Sequence, residues 1–271
     1  MRPVPMTSNS SPEATDGGAE PADDAATTAI VLKPLRFGDP LRWLSMGWRD
    51  FVRAPGIGLF YGTCFMVMGW ALLQVFAQAP AYTMALSAGF LLMGPFLCLG
   101  LYRVSQRLEN GEKPELGDSL MAWDTRTGQL AIFGFVLLVL EMLWGRATLV
   151  VFAVSFDGMP DFKGSLLALL EPENLPFVAA WAAVGAVFAS LIYAVSVVSM
   201  PMILHRRTDA VTAGLTSLRL VLTQTAVMLW WGLLITLLVG LALLPWFAGL
   251  LLVGPVIGHA SWHAYRSAVA D

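Results

Sequence analysis

From residue 57 onward the chain alternates long apolar runs with short polar joints. The runs cover approximately 57–77, 80–102, 129–153, 176–200, 225–244 and 246–264. Each approaches the ~20 residues that cross ~30 Å of hydrocarbon at 1.5 Å per residue, so the pattern predicts six transmembrane helices. Glu141 and Arg146 interrupt the third run, and Pro255, His259 and His263 interrupt the last. Only Gln78-Ala79-Pro80 separates the first two runs and only Pro245 the last two. Both pairs are therefore expected to be tight helical hairpins.

The segment before the first run has a different period. Asp39–Pro40 reads as a helix start, a capping residue followed by proline at the first helical position. In the following LRWLSMGWRDFVR, Leu41, Leu44, Trp48 and Phe51 or Val52 share one face. Arg42, Ser45, Arg49, Asp50 and Arg53 fall largely elsewhere. An amphipathic helix with Trp and Arg suits the membrane interface. Residues 1–29 are poor in bulky apolar side chains and rich in Pro, Ser, Ala, Gly and acids. They are expected to be a disordered tail without the apolar core of a signal peptide, leaving 30–271 as a single membrane domain.

The apolar runs are related to one another. AGFLLMGP at Ala88–Pro95 and AGLLLVGP at Ala248–Pro255 agree at six of eight positions. The segments leading into the odd-numbered runs align without gaps on Gly62, Gly134 and Gly232. That alignment superposes Ser119 on Ser217 and Gly56 on Gly128, and Asp39, Asp118 and Asp209 stand where they could cap each segment. Each even-numbered run carries a proline, Pro95, Pro201 or Pro255, which removes one backbone hydrogen bond and bends a helix. The expected architecture is all-α: six transmembrane helices in three parallel two-helix repeats, each led by a cytoplasmic amphipathic helix.

Charge orients this arrangement. Fourteen Lys and Arg fall before the first run, in the two loops after runs two and four, and at the C-terminal end. Lys163 alone falls in the loop after run three, so the positive-inside rule predicts that both ends are cytoplasmic. The loop at roughly 155–175 also holds Asp157, Asp161, Glu171 and Glu173, whose spacing matches no calcium loop and reads as a solvated face. With 57% hydrophobic and 13% charged residues and a mean hydropathy of +0.68, the chain lies far from the ~25% charge of soluble domains. A net charge of −3 and the lack of a basic block argue against nucleic acid.

Three stretches together, PLRWLSMGWRDFVRAPGIGLFYG (40–62), GFLLMGPFLCLGLYRVSQRLENGE (89–112) and SLMAWDTRTGQLAIFG (119–134), resemble the bacterial predicted integral membrane protein family, domain of unknown function 2189. The resemblance spans about 34–267. It implies a bacterial inner-membrane protein and brings no catalytic residues with it. Some family members carry a cytochrome oxidase subunit label, which implies haem or copper.

The residues do not match that chemistry. A haem or copper core needs imidazole, thiolate or thioether ligands on facing helices. Here the histidines are His205, His259 and His263, and only the i, i+4 pair 259/263 shares a face. The two cysteines, Cys64 and Cys98, both lie in apolar runs and read as inert buried thiols. No hydrolase, zinc-protease or phosphate-loop motif occurs, so no enzyme activity and no cofactor are expected.

Glu141 stands out, since counting from Gln129 places it about 18 Å deep, near the bilayer centre. A carboxylate there costs at least ~2.5 kcal/mol and must face protein or water, or stay protonated. Arg146 is about 140° around the helix and does not share its face, whereas Gln74 lies at similar depth on the first run. Glu141, Arg146, Gln74 and His259 are thus the candidate intramembrane polar site, and Pro95, Pro201 and Pro255 the candidate kinks. Two functions follow. The leading one is a non-enzymatic membrane protein, an accessory, assembly or interaction partner of other membrane proteins in the lipid bilayer. The alternative is a small-solute or proton-coupled transporter or channel that uses Glu141.

Overall fold

The computed structural model describes residues 30–78, 83–155 and 171–270. The 1–29 tail, Ala79–Pro80 and most of the acidic loop, with Asp157, Asp161 and Lys163, lie outside the described residues. The described chain is helical throughout: α1 (Asp39–Arg53), α2 (Pro55–Gln78), α3 (Thr83–Glu109), the short α4 (Leu116–Leu120) with a 3-10 turn at Asp124–Arg126, α5 (Thr127–Ser155), α6 (Leu175–Ser196), α7 (Ser199–Arg206), α8 (Ala210–Thr223), α9 (Thr225–Leu243) and α10 (Leu250–Ala268). Four helical stretches among the described residues are long and apolar enough to cross a membrane: Pro55–Val75, Thr127–Ser155, Leu175–Arg206 and Thr225–Leu243. The other two expected spans exist as helices of 27 and 19 residues, α3 and α10, but carry more polar side chains.

α1 presents two faces rather than one. Trp43, Gly47, Asp50 and Phe51 are buried, whereas Leu41, Trp48 and Val52 remain about half exposed. Asp50 therefore departs from the sequence expectation, which put it on the polar side. The buried face lies on α10, and the fit depends on Gly47: a Cβ there would stand 2.6 Å from the Val256 carbonyl and 2.7 Å from the Ala260 nitrogen. Trp43 seals the edge, donating its indole N–H to Ser267 at 3.0 Å and meeting Trp231 edge-on at 5.6 Å. Capping also differs from expectation. Gly38 is the N-cap of α1, and the Asp39 carboxylate instead accepts from Arg36 N–H at 2.7 Å. Asp118 lies inside α4 and pairs with Arg103 and Arg107, while Asp209 does cap α8, accepting from Thr212 N–H at 2.9 Å.

α10 is the hub of the molecule. It packs against α1, α2, α3, α7 and α9, and nearly every residue from Gly258 to Tyr265 is buried. Gly62 of α2 faces the Leu251 backbone so closely that a Cβ would collide with it. Gly134 of α5 receives the Phe96 ring of α3, and Gly232 of α9 receives the Tyr193 ring of α6. The three prolines behave differently. Pro95 and Pro255 lie inside continuous helices. Pro201 splits its helix at Val197–Val198, the position at i−4 whose carbonyl the proline ring cannot accommodate.

The two ends of the described chain meet. Lys33 N–H bonds the Ala268 carbonyl at 2.8 Å and Ala270 N–H the Val31 carbonyl at 2.9 Å, which makes an antiparallel bridge between Leu32 and Val269. Gln224, at the break between α8 and α9, holds this segment with bonds to Leu35 N–H (2.6 Å) and the Lys33 carbonyl (2.7 Å).

Candidate functional sites

Two places gather polar groups. The first lies on α5. Glu141 is fourteen residues from the helix start at Thr127, about 21 Å along the axis. Its side chain is 7% exposed, and its Oε2 has no hydrogen-bond partner. It opens onto a crevice of about 310 Å³ between α3, α5 and α6, lined by Leu91, Trp144, Gly185, Phe188, Ile192 and Tyr193. Gly185 makes room for the Trp144 indole opposite it. The Tyr193 hydroxyl is already engaged, donating to the Met228 carbonyl at 2.6 Å. Trp144 Nε1 and Thr148 Oγ1 are buried without partners as well. Positions 141, 144 and 148 are i, i+3 and i+7, so three unsatisfied polar groups follow one face of α5 over about 10 Å.

The other expected members of that site are elsewhere. Gln74 and Arg146 are both exposed, and neither lines the crevice. His259 belongs to the second place, the junction of α1, α3 and α10. There it is fully buried, with Nδ1 2.8 Å from the Ser105 hydroxyl of α3, while its Nε2 has no partner. One turn on, His263 Nε2 lies 2.8 Å from Asp50 Oδ2. The Ser105 hydroxyl is also close enough to Asp50 to favour its charged form. The result is a buried chain of His263, Asp50, Ser105 and His259. Burial pushes the Asp50 carboxyl up; the hydrogen bond and charge of His263, the Ser105 hydroxyl and His259 outweigh it and hold the group below its ordinary range.

Around this chain lies a cleft of about 340 Å³ bordered by Met46, Arg49, Arg53, Leu108, Glu109, Arg266 and Ser267. Glu109 accepts from the Trp262 indole at 2.9 Å and from Arg266 at 3.1 Å. His205 is engaged with the Tyr265 hydroxyl at 2.8 Å. The imidazoles thus point to separate partners, and among the described residues no group of three His, Cys, Asp or Glu side chains could hold a metal ion. Cys64 and Cys98 are both free thiols.

The sequence reading named Glu141 and His259 and missed Trp144, Thr148, Asp50, Ser105 and Glu109. The first two were legible as i+3 and i+7 from Glu141. The other three were not, because their partners lie on remote helices.

Residues 83–205 match the model of a family described as a predicted integral membrane protein, domain of unknown function 2189. The match runs from α3 through α7 and is shorter than the 34–267 suggested by the three sequence stretches. It includes Glu141 and Ser105 but excludes Asp50, His259 and His263. No curated protein and no solved structure matches the chain.

Proposed function

We propose, from the premise that residues 83–205 match a family of integral membrane proteins, that this chain is a non-enzymatic six-span protein of the bacterial inner membrane. In this reading it serves as an accessory or assembly partner of other membrane proteins and engages them at the α3–α5–α6 crevice. The observation that carries the reading is Glu141, a buried acid with an unpartnered oxygen, in a crevice on the least covered of the four apolar helices. An acid at that depth needs a donor. A neighbouring helix bearing a hydroxyl, amide or amine would supply one and cover the apolar walls at once, and interhelical bonds of this kind contribute roughly 0.6–2 kcal/mol.

Six spans are favoured over four because α3 and α10, at 1.5 Å per residue, reach about 40 and 28 Å. The Leu32–Val269 bridge requires an even number of crossings between those residues. Three features support the threefold repeat. The starts of α2, α5 and α9 (Pro55, Thr127 and Thr225) each precede the aligned glycines Gly62, Gly134 and Gly232 by seven residues. Those glycines receive α10, α3 and α6, the return helix of the preceding unit in cyclic order. Fifteen residues before each glycine stands a small residue on the same return helix: Gly47 on Ala260, Ser119 on Gly100, and Ser217 donating to the Ala194 carbonyl at 2.8 Å. Both ends are cytoplasmic in this scheme, following the cation bias, and cysteines replacing Lys113 and Lys163 label from opposite sides of intact cells. Labelling of both from outside would remove the six-span topology.

The stripe Glu141–Trp144–Thr148 favours a second reading, a path for protons or a small polar solute along α5. Purification in mild detergent separates the two. Partner docking predicts a stoichiometric membrane protein that copurifies with wild type and is lost with Glu141→Leu. Transport predicts an isolated protein that moves solute or protons in liposomes and stops doing so with Glu141→Gln. A lone protein, inactive in liposomes and unchanged by either substitution, would sink both.

A further inference from the structure

The cleft at the α1–α10 junction holds chemistry that neither reading of Glu141 uses. α1 has an exposed apolar stripe, Leu41, Trp48 and Val52, at i, i+7 and i+11. One residue on, and so 100° around, runs a stripe of cations, Arg42, Arg49 and Arg53, all exposed. Adjacent stripes of this kind seat a helix in the membrane interface, with its apolar edge in the acyl region and its cations at headgroup level. Arg49 and Arg53 form one wall of the cleft, Arg266 stands on the wall supplied by α10, and Asp50 with His263 lies between them.

Asp50 is bonded to His263, and Glu109 to Arg266 and Trp262. Arg49 and Arg53 border the same cleft as these two carboxylates, whose partners are already in place. Arg49 and Arg53 make no ion pair among the described residues and, being i, i+4 on one helix, repel each other. A rim of unpaired, forked donors over a cavity of about 340 Å³ has the shape and sign to take a phosphate with a polar headgroup attached.

We infer that the cleft lined by Arg49, Arg53, Arg266 and His263 binds a phosphate ester, the headgroup of an anionic phospholipid of the cytoplasmic leaflet. The inference rests on the membrane placement of α1 and is independent of Glu141 and of any protein partner. Basic pockets at the cytoplasmic ends of membrane helices have this use in general, with each cation that contacts the bound headgroup worth about a factor of five in affinity.

The test uses the full chain, purified and delipidated in a neutral detergent, with native mass spectrometry and thermal unfolding as readouts. The added probes are dioleoylphosphatidylglycerol, dioleoylphosphatidylcholine, glycerol phosphate and inorganic phosphate. Wild type should retain phosphatidylglycerol in preference to phosphatidylcholine and be stabilised by it. The double variant Arg49→Gln/Arg53→Gln should bind it roughly thirtyfold more weakly at low salt. Arg42→Gln, on the same stripe but outside the cleft, should bind as wild type does. Glycerol phosphate or inorganic phosphate that competes with the lipid at equal concentration supports the phosphate chemistry but assigns the site to a soluble ester. Equal retention of both phospholipids, or equal binding of phosphatidylglycerol by wild type and a folded double variant, overturns the inference.

Discussion

The junction of α1, α3 and α10 and the crevice of α3, α5 and α6 each bury a carboxylate, and they treat it in opposite ways. Asp50 has an imidazole at 2.8 Å and a serine hydroxyl, and the helix that carries it is locked to α10 through Gly47. Glu141 has an oxygen with no partner, a half-open cavity beside it and two more unsatisfied groups on the same face. A buried polar group without a bond costs about 1–3 kcal/mol, so a chain keeps one only where something else recovers the loss. Asp50 is recovered internally and holds the fold together. Glu141 is not, which is why we propose that the crevice meets something outside the molecule.

The comparison can be broken at several points. The largest effect is expected at the junction: Asp50→Ala strands His263 and Ser105 and should lower stability by about 3–5 kcal/mol, seen as a fall in Tm in detergent. An unchanged Tm would mean that the buried chain contributes nothing. Next comes Gly62→Ala, which drives a methyl into the Leu251 backbone and should cost about 1–3 kcal/mol, whereas Gly145→Ala, with open space around it, should be neutral. Equal effects would show that α2 and α10 are not in close contact. Glu141→Leu should be neutral or stabilise the isolated protein by up to about 2 kcal/mol, since no donor is known to depend on Oε2. A loss comparable to that of Asp50→Ala would make Glu141 a structural residue and erase the contrast.

The smallest effect is pH dependence. The Asp50 carboxyl titrates lower in the folded protein than its ordinary 3.8, so the stability it contributes is present above that value and is lost as pH falls through the lowered folded value. The Tm gap between wild type and Asp50→Asn should hold steady at mildly acidic pH and close only below about pH 4. A gap that closes near neutrality would assign the titration to another group.

How far the sequence reads depends on where each residue's partner lies. The α1 helix, the prolines inside α3 and α10, and the position of Glu141 midway along α5 are local patterns and were legible. Asp50 was placed on the wrong side of α1 because its partner is 213 residues away, and periodicity alone counts an acid as facing water. α10 shows the same limit from the other direction. Its histidines, serines, tyrosine and arginine leave it outside the apolar spans, yet it is the most enclosed of the long helices, because its polar groups find protein partners. Pro201 was read as a kink like Pro95 and Pro255 and instead divides its helix.

The dependence of α1 on α10 also sets the order in which the molecule can be finished. α1 and α2 leave the ribosome before α10, and the surface that Gly47 and Asp50 present to α10 stays uncovered until about two hundred further residues have been made. At 5–20 residues per second that interval is roughly 10–40 s. Throughout it, Asp50 lacks the imidazole that partners it in the finished fold. Only the arrival of His263 supplies the missing partner, so the junction closes long after α1 and α2 have been made.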